Sequence, residues 1–485
     1  MDLYIQYMYS YPHKTAYGPL TGISLKDYGG QLAGPGHGLY LHIPFCQTKC
    51  GYCDLFSVTG QSREGIDRYL DAVERQILQY APALKPFQTR FSDLTIGGGT
   101  PLLLSEAQLE RVFSMIFTHL PFEEGREIVI ETAPAQTTTE KLNILKEVGV
   151  TRVSMGVQSF FDEELKTLKR QHLADCARRA LALLMTFAFP CVNVDLIYGI
   201  PGQTVKTLLA SVEEAVSFGV DEIFLYPLYI KHGARLEREL VRGLYLDPEK
   251  ALLQYREAAA LLRAKGFRQD SMRRFVRAKG FRQDPMRRFV RIEASKGDPA
   301  VTHGEMDRMG RRAETRSFAD CGFGTSLALG CGGRSYLGGL HFCTPYEVTR
   351  QGCLAQLRRF EETEDYLQIR HGILLSEEEI KRRYVIRHLL IRPGLPMEQY
   401  RAHFGTGATE DFPLLKDWVG EGYLVLDGQE GAAADGDTHE ETFLALTDEG
   451  LALSDYLGPQ LISPAIRGRM EAWEEKNRGG SGRTG

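Results

Sequence analysis

Three cysteines stand within eight residues, Cys46, Cys50 and Cys53, spaced Cys-x3-Cys-x2-Cys in YLHIPFCQTKCGYCDLF. Thiolates at such spacing bind soft metals, but zinc sites normally close with four ligands in two pairs. An iron–sulfur cube also normally takes four thiolates. Three would leave one iron open for a chelating ligand, so the triad reads as a site cluster with a vacant iron. Three structural thiols in a loop are the bland alternative. Downstream, Gly97-Gly98-Gly99-Thr100-Pro101 follows the run DLTI. Glycines there let backbone approach a ligand closely and leave N–H groups for a carboxylate or ribose. Strand-end glycines are common, and this run gains weight by following the cysteines by one structural unit.

The elements that must position these residues alternate. Short β-branched or aromatic runs occur at Leu39–Ile43, Asp93–Ile96, Glu127–Thr132, Arg152–Val157, Val192–Tyr198 and Glu222–Leu228. Amphipathic stretches separate them at Ile66–Tyr80, Glu106–Leu120, Thr139–Val148, Leu173–Thr186 and Val205–Phe218. Strand–helix–strand alternation implies parallel pairing through right-handed crossovers. The expected fold is α/β, a partial (β/α)6 barrel with its site at the C-terminal ends of the strands.

The chain has 485 residues, enough for two or three domains, with a net charge of −5 that argues against a nucleic-acid partner. No apolar run near membrane-spanning length and no signal peptide is read, so the expectation is a cytoplasmic chain without a membrane role. The nine cysteines are odd in number and unevenly spread, unlike a secreted disulfide framework.

Residues 1–37 read as a Tyr-rich arm with little periodicity, holding Lys14 and Lys26 and no Arg. The barrel is assigned to 38–233, and 234–373 is its completion and a connector. Within that connector, 263–276 and 277–290 are the same 14 residues except for Ser271 against Pro285. A tandem duplication with one copy on the fold and the other bulging out is the reading. Residues 374–464 run helix, then helix–strand–turn–strand–helix, a winged-helix-like cap. The polar tail, 465–485, reads as disordered.

Taken with YLHIPFC, GGGTP, IETAP, RVSMGVQSF, LKRQH and NVDLIYGIPGQT in order, the chain resembles the radical S-adenosylmethionine (SAM) superfamily. Its flanking text resembles the oxygen-independent coproporphyrinogen III oxidase-like branch across Tyr40–Tyr346. The resemblance implies that Cys46, Cys50 and Cys53 hold a [4Fe–4S] cluster whose open iron takes one SAM. It implies Tyr40, Tyr52, Gly98 and Glu131 around that SAM, and Gly99, Thr100, Gln158, Arg170 and Asp195 around a second. One electron from the cluster would cleave SAM to a 5′-deoxyadenosyl radical, supplied by a donor such as flavodoxin or ferredoxin. No proton-transfer residue is assigned.

Three features bear on substrate, one being GCGGRSYLGG, where the resemblance implies an apolar residue and this chain has Cys331 and Arg334 near the expected SAM pocket. Oxidases of this branch carry a fourth cysteine after the triad, whereas Asp54-Leu55-Phe56 follows Cys53 here. The Arg-free, Tyr-rich arm suits a flat aromatic ligand with few carboxylates. The expectation is therefore methyl or methylene transfer, C-methylation or cyclopropanation, to an sp² carbon of an aromatic natural product, with a partner methyltransferase left open. Coproporphyrinogen III decarboxylation and haem chaperoning, both known in the branch, are the alternatives.

Overall fold

Parallel strands joined by helices are covered on both faces, so their apolar runs should be nearly continuous. Strands His37–Ile43, Phe91–Gly98, Phe122–Thr132, Arg152–Gln158, Cys191–Tyr198 and Glu222–Pro227 pair parallel in that order. These are the six expected units of the α/β barrel. Helices Arg63–Leu84, Glu106–His119, Thr139–Val148, Ala174–Thr186 and Val205–Ser217 lie between them in the chain. Ser62, Ser105, Thr138 and Thr204 start four of these helices by accepting first-turn N–H groups. Strand and helix side chains form one core that includes Leu41, Ile96, Ile130, Val153, Val194 and Leu225. The computed structural model describes residues 11–231, 234–241, 243, 245–277, 281–283, 289–291, 324–432 and 438–478.

The sheet extends at both ends to thirteen strands. Ser326–Leu329 adds a seventh parallel strand beside His37–Ile43. Arg334–Leu337, Leu340–Cys343 and Gln368–Leu374 continue it antiparallel. The N-terminal arm is not irregular: Gly18–Ser24 pairs antiparallel with Gln368–Leu374 and ends the sheet. Tyr11, Ala16 and Tyr17 are buried. Tyr4, Tyr7 and Tyr9 lie outside the described residues.

At the opposite edge the first copy of the duplicated segment folds as a hairpin. Phe267–Gln269 pairs with Arg274–Arg277, which pairs with Glu222–Phe224. The second copy repeats the hairpin register, Phe281↔Arg291 for Phe267↔Arg277, but forms its own two-stranded sheet. The copies differ at one position. Ser271 Oγ accepts from Arg273 N and Arg274 N at 3.4 and 3.2 Å, and Pro285 has no such oxygen.

Helix Glu377–Leu389, strand Leu395–Pro396, helix Leu414–Gly420, the hairpin Leu424–Ala432/Thr438–Leu446 and helix Asp448–Ala452 form the C-terminal unit. Its apolar core also takes in Tyr11 and Tyr17 of the arm. The tail departs from expectation, because Pro464–Arg478 is helical. Ile466, Met470 and Trp473 recur at helical spacing, and the first two join that core while Trp473 lies 5.2 Å from the Tyr346 ring. Among the described residues no helix is long and apolar enough to cross a membrane.

Candidate active site

The cysteine loop leaves the first barrel strand and is pinched at its base, where Phe45–Cys46 pairs with Val58–Thr59. Gly51 N donates to Leu168 O at 2.9 Å, and Leu236 N donates to Gly51 O at 2.8 Å. A Cβ on Gly51 would stand 2.8 Å from Leu236 Cγ and 2.9 Å from Lys169 Cγ, so only glycine fits the crossing. Lys49 Nζ straps the loop, donating to Leu55 O at 3.1 Å and Val348 O at 2.9 Å. Cys46, Cys50 and Cys53 are free thiols, each partly buried. Burial raises Cys46, and burial followed by the Cys50 charge pushes Cys53 up to about 12.

Among the described residues no three His, Cys, Asp or Glu side chains converge closely enough to hold one metal ion. An iron–sulfur cube distributes its thiolates over separate irons, so convergence on a point is not its requirement. Three soft thiols on one strapped loop, with no competing carboxylate among the triad, fit such a cluster.

Two arcs of side chains flank the loop at the strands' C-terminal ends. In one, Arg170 Nη1 donates to Cys50 Sγ at 3.1 Å and Nη2 donates to Gly156 O. Gly156 stands opposite Asp195 in the strand register. Burial raises Asp195 to about 6, partly offset by the hydrogen bond from Asn193 Nδ2 at 2.8 Å. Tyr52 is raised chiefly by burial, with Arg170 opposing. Gln158 and Lys169 both sit in left-handed backbone, φ 73° and 56°, a conformation few side chains adopt without a local constraint. The structure thus brings Cys50, Arg170 and Gly156 into contact, with Gln158 and Asp195 on the adjoining strand ends.

In the other arc, Gly98 N donates to Glu131 Oε2 at 3.1 Å. A Cβ on Gly97 would meet the Glu131 carboxylate at 2.8 Å. Gly99 N donates to Ile43 O and Thr100 N to Phe45 O, both at 2.8 Å, while Thr100 Oγ1 lies 3.8 Å from Cys46 Sγ. The glycine run therefore docks against the cysteine loop's first residues as well as framing a ligand space. Tyr40 Oη is 3.1 Å from His42 Nδ1. Sequence reasoning passed over His42 as part of a strand. It is buried, with Nε2 2.8 Å from Phe56 O, and burial lowers it to about 4, so it is neutral. Its ring would touch a Cβ on either Gly98 or Gly332, at 2.6 and 2.9 Å. Its place in YLHIPFC, two residues from Tyr40 on the same strand face, was the available signal.

The arm's lack of arginine does not make its surroundings neutral. Arg334 Cζ lies 6.0 Å from the Tyr17 ring and 5.7 Å from that of Tyr336. Lys14 Nζ stands 4.1 Å above Tyr346. The cations come from sequence-distant elements, so the reading of a weakly anionic ligand from the arm's composition alone loses its basis.

Residues 40–215 match the family described as the Radical SAM superfamily. The haem chaperone HemW of Mycobacterium tuberculosis is 37% identical over 240 residues, 49% of this chain. The chain spans only 61% of that chaperone's length. The oxygen-independent coproporphyrinogen III oxidase of Escherichia coli is 26% identical over 443 residues, covering 87% of this chain and 89% of the oxidase. The solved structure of coproporphyrinogen III oxidase (HemN) from Escherichia coli superposes with a TM-score of 0.69. It covers 95% of this chain and 96% of that one at 21% identity, a likeness of fold. Residues 40–215 form a radical SAM domain, and the chain as a whole is similar to the oxygen-independent coproporphyrinogen III oxidases, the HemN-like branch.

Proposed function

We propose that the chain is a radical SAM enzyme acting on a propionate-bearing tetrapyrrole, by oxidative decarboxylation of the coproporphyrinogen III type. One observation carries the reading. The similarity to the Escherichia coli oxidase runs through 87% of the chain, whereas similarity to the chaperone covers 49%. Cys46, Cys50 and Cys53 would hold the [4Fe–4S] cluster, which when bound supplies the electron that cleaves SAM reductively.

The chain's own residues orient and exclude. Arg170 fixes Cys50 against the strand end at Gly156. Glu131, anchored on Gly98 N, would present a carboxylate to hydroxyl or amine groups of the first SAM, with Tyr40 and Tyr52 as its further contacts. Gly99, Thr100, Gln158, Arg170 and Asp195 would line a second SAM, and an electron donor such as flavodoxin or ferredoxin would dock at the rim. Anaerobic protein loaded with iron and sulfide, reduced with dithionite and given SAM and coproporphyrinogen III, is expected to release 5′-deoxyadenosine, methionine and CO₂. SAM cleavage with no tetrapyrrole product removes the reading.

A second reading, methyl or methylene transfer, is favoured by Asp54-Leu55-Phe56 following Cys53, where branch oxidases carry a fourth cysteine shortly after the triad. Label from CD₃-SAM in the product would select it. A stable haem complex without SAM cleavage would select the chaperone.

A further inference from the structure

A second polar centre lies apart from the cysteine loop, where the N-terminal arm, the strand Arg334–Leu337 and the helix Glu377–Leu389 meet. Arg334 and Arg383 both approach the Tyr336 ring, at 5.7 and 5.2 Å. Arg334 also faces Tyr17 at 6.0 Å. Tyr17 and Tyr336 are buried, at 7% and 8% exposure. Neither Arg334 nor Arg383 makes an ion pair with a carboxylate among the described residues. Arg334 Nη1 and the Tyr17 hydroxyl are buried and meet no partner at full hydrogen-bond geometry, the guanidinium and the phenol facing each other. A buried guanidinium is costly unless an anion compensates it, and native proteins seldom leave one so.

The surroundings add positive potential. Burial, then Arg387, lowers Arg383 to about 10, and burial lowers Lys14 to about 8. Burial, then Arg383 and Arg334, holds His341 well below its usual value. Asp54 acts on Lys14 and Lys231, and Glu379, on the same helix as Arg383, is taken up by Tyr11 and Arg382. Geometry also ties the centre to the active site. Arg334 follows Gly333, where a Cβ would stand 3.4 Å from Tyr40 Cδ1. Tyr346, beneath Lys14, donates to Asp54 O at 3.1 Å, next to Cys53.

We infer that Arg334 and Tyr17, backed by Arg383 and Lys14, form the binding site for a carboxylate of the substrate. Arg334 Nη1 and the Tyr17 hydroxyl supply two donors for one carboxylate, and Arg383 supplies charge from the other side of Tyr336. The inference rests on the tetrapyrrole reading for its ligand, a propionate side chain, while the anion site itself follows from a guanidinium that has no carboxylate partner among the described residues and a buried, unsatisfied Nη1.

The test uses the full-length chain, anaerobic and cluster-loaded, with coproporphyrin III and its tetramethyl ester as absorbance probes. The free acid should bind wild type at least roughly tenfold more tightly than the ester, as expected for a charge-assisted pair. Arg334→Gln should lose about that factor for the acid, leave the ester unaffected, and keep dithionite-driven SAM cleavage without tetrapyrrole. Arg383→Gln should lose less, and Arg334→Lys should recover part of the loss. A structural arginine would destabilise the chain when replaced. Here Arg334→Gln should leave the ligand-free melting temperature unchanged or raise it, because an uncompensated charge is removed. Equal affinity of Arg334→Gln and wild type for the acid, or equal affinity of wild type for acid and ester, overturns the inference. If wild type binds neither porphyrin, the tetrapyrrole reading fails and glutarate decides the anion site. Thermal stabilisation of wild type by glutarate that is lost in Arg334→Gln upholds it, and no such difference overturns it.

Discussion

Arg170 bridges two parts of the barrel rim, with Nη1 3.1 Å from Cys50 Sγ and Nη2 on Gly156 O. The guanidinium's fixed fork makes both bonds at once, which neither Lys nor Gln can reproduce. Arg170→Gln is expected to cut 5′-deoxyadenosine formation by roughly tenfold or more, with Arg170→Lys intermediate, in line with the loss of one charged hydrogen bond. Single-turnover nucleoside release, normalised to iron content per chain, measures it.

Gly99→Ala should destabilise the chain by about 1–3 kcal/mol, because the added Cβ would fall 2.6 Å from the Phe45 carbonyl oxygen. Gly30→Ala, with nothing within 4 Å, is the control and should change little. Urea denaturation of the two variants under identical conditions gives the comparison.

Asp195 titrates near 6 in the folded chain, above its usual value near 3.8, chiefly through burial. The native state therefore retains a proton that the unfolded chain releases first, and this residue's contribution to stability falls as pH rises from about 4 to about 6. Asp195→Asn removes the effect. The melting temperature of the variant minus that of wild type should grow over this window and level off above it. A difference independent of pH between 4 and 7 contradicts the assignment.

The barrel edge and the C-terminal unit are joined by Arg273, which donates to Asp455, with both side chains only 3% exposed. Arg273 also donates to Tyr229 Oη at 2.7 Å and Tyr198 Oη at 3.0 Å. Arg273→Met leaves Asp455 without this buried partner and should cost about 3–5 kcal/mol. Thermal unfolding of the variant beside wild type reads the loss.

The duplication allows a one-residue comparison. Deleting 277–290 leaves a single hairpin with Ser271, and deleting 263–276 leaves the same hairpin with the proline of position 285. The serine form should be more stable by about 1–2 kcal/mol, because Arg273 N and Arg274 N keep their acceptor. Denaturation of the two shortened chains supplies the number.

How much of this could be read beforehand follows from the range of the interactions. The six parallel strands announce themselves because their core-facing residues read as local apolar or β-branched runs, and the helices between them carry period and caps. The cysteine triad and the glycine run are likewise local. The arm's strand is invisible in the same way, since Gly18 and Pro19 take their register from Gly372 and His371. Ile466, Met470 and Trp473 are outnumbered by polar neighbours, and their stripe acquires meaning only against Tyr11 and Tyr346. Arg334 stands out in the late glycine run GCGGRSYLGG, but Arg383 and Lys14 come from two other elements, so their common surroundings had no signature along the chain.

The twin hairpins give this sheet edge a built-in redundancy. The copies differ at one position and share one hairpin register, so a lesion in Phe275 or Arg274 leaves an unaltered repeat of the same sequence fourteen residues along the chain. Single substitutions in 263–276 therefore act on the copy seated at the edge, and the matching change in 277–290 is their internal control.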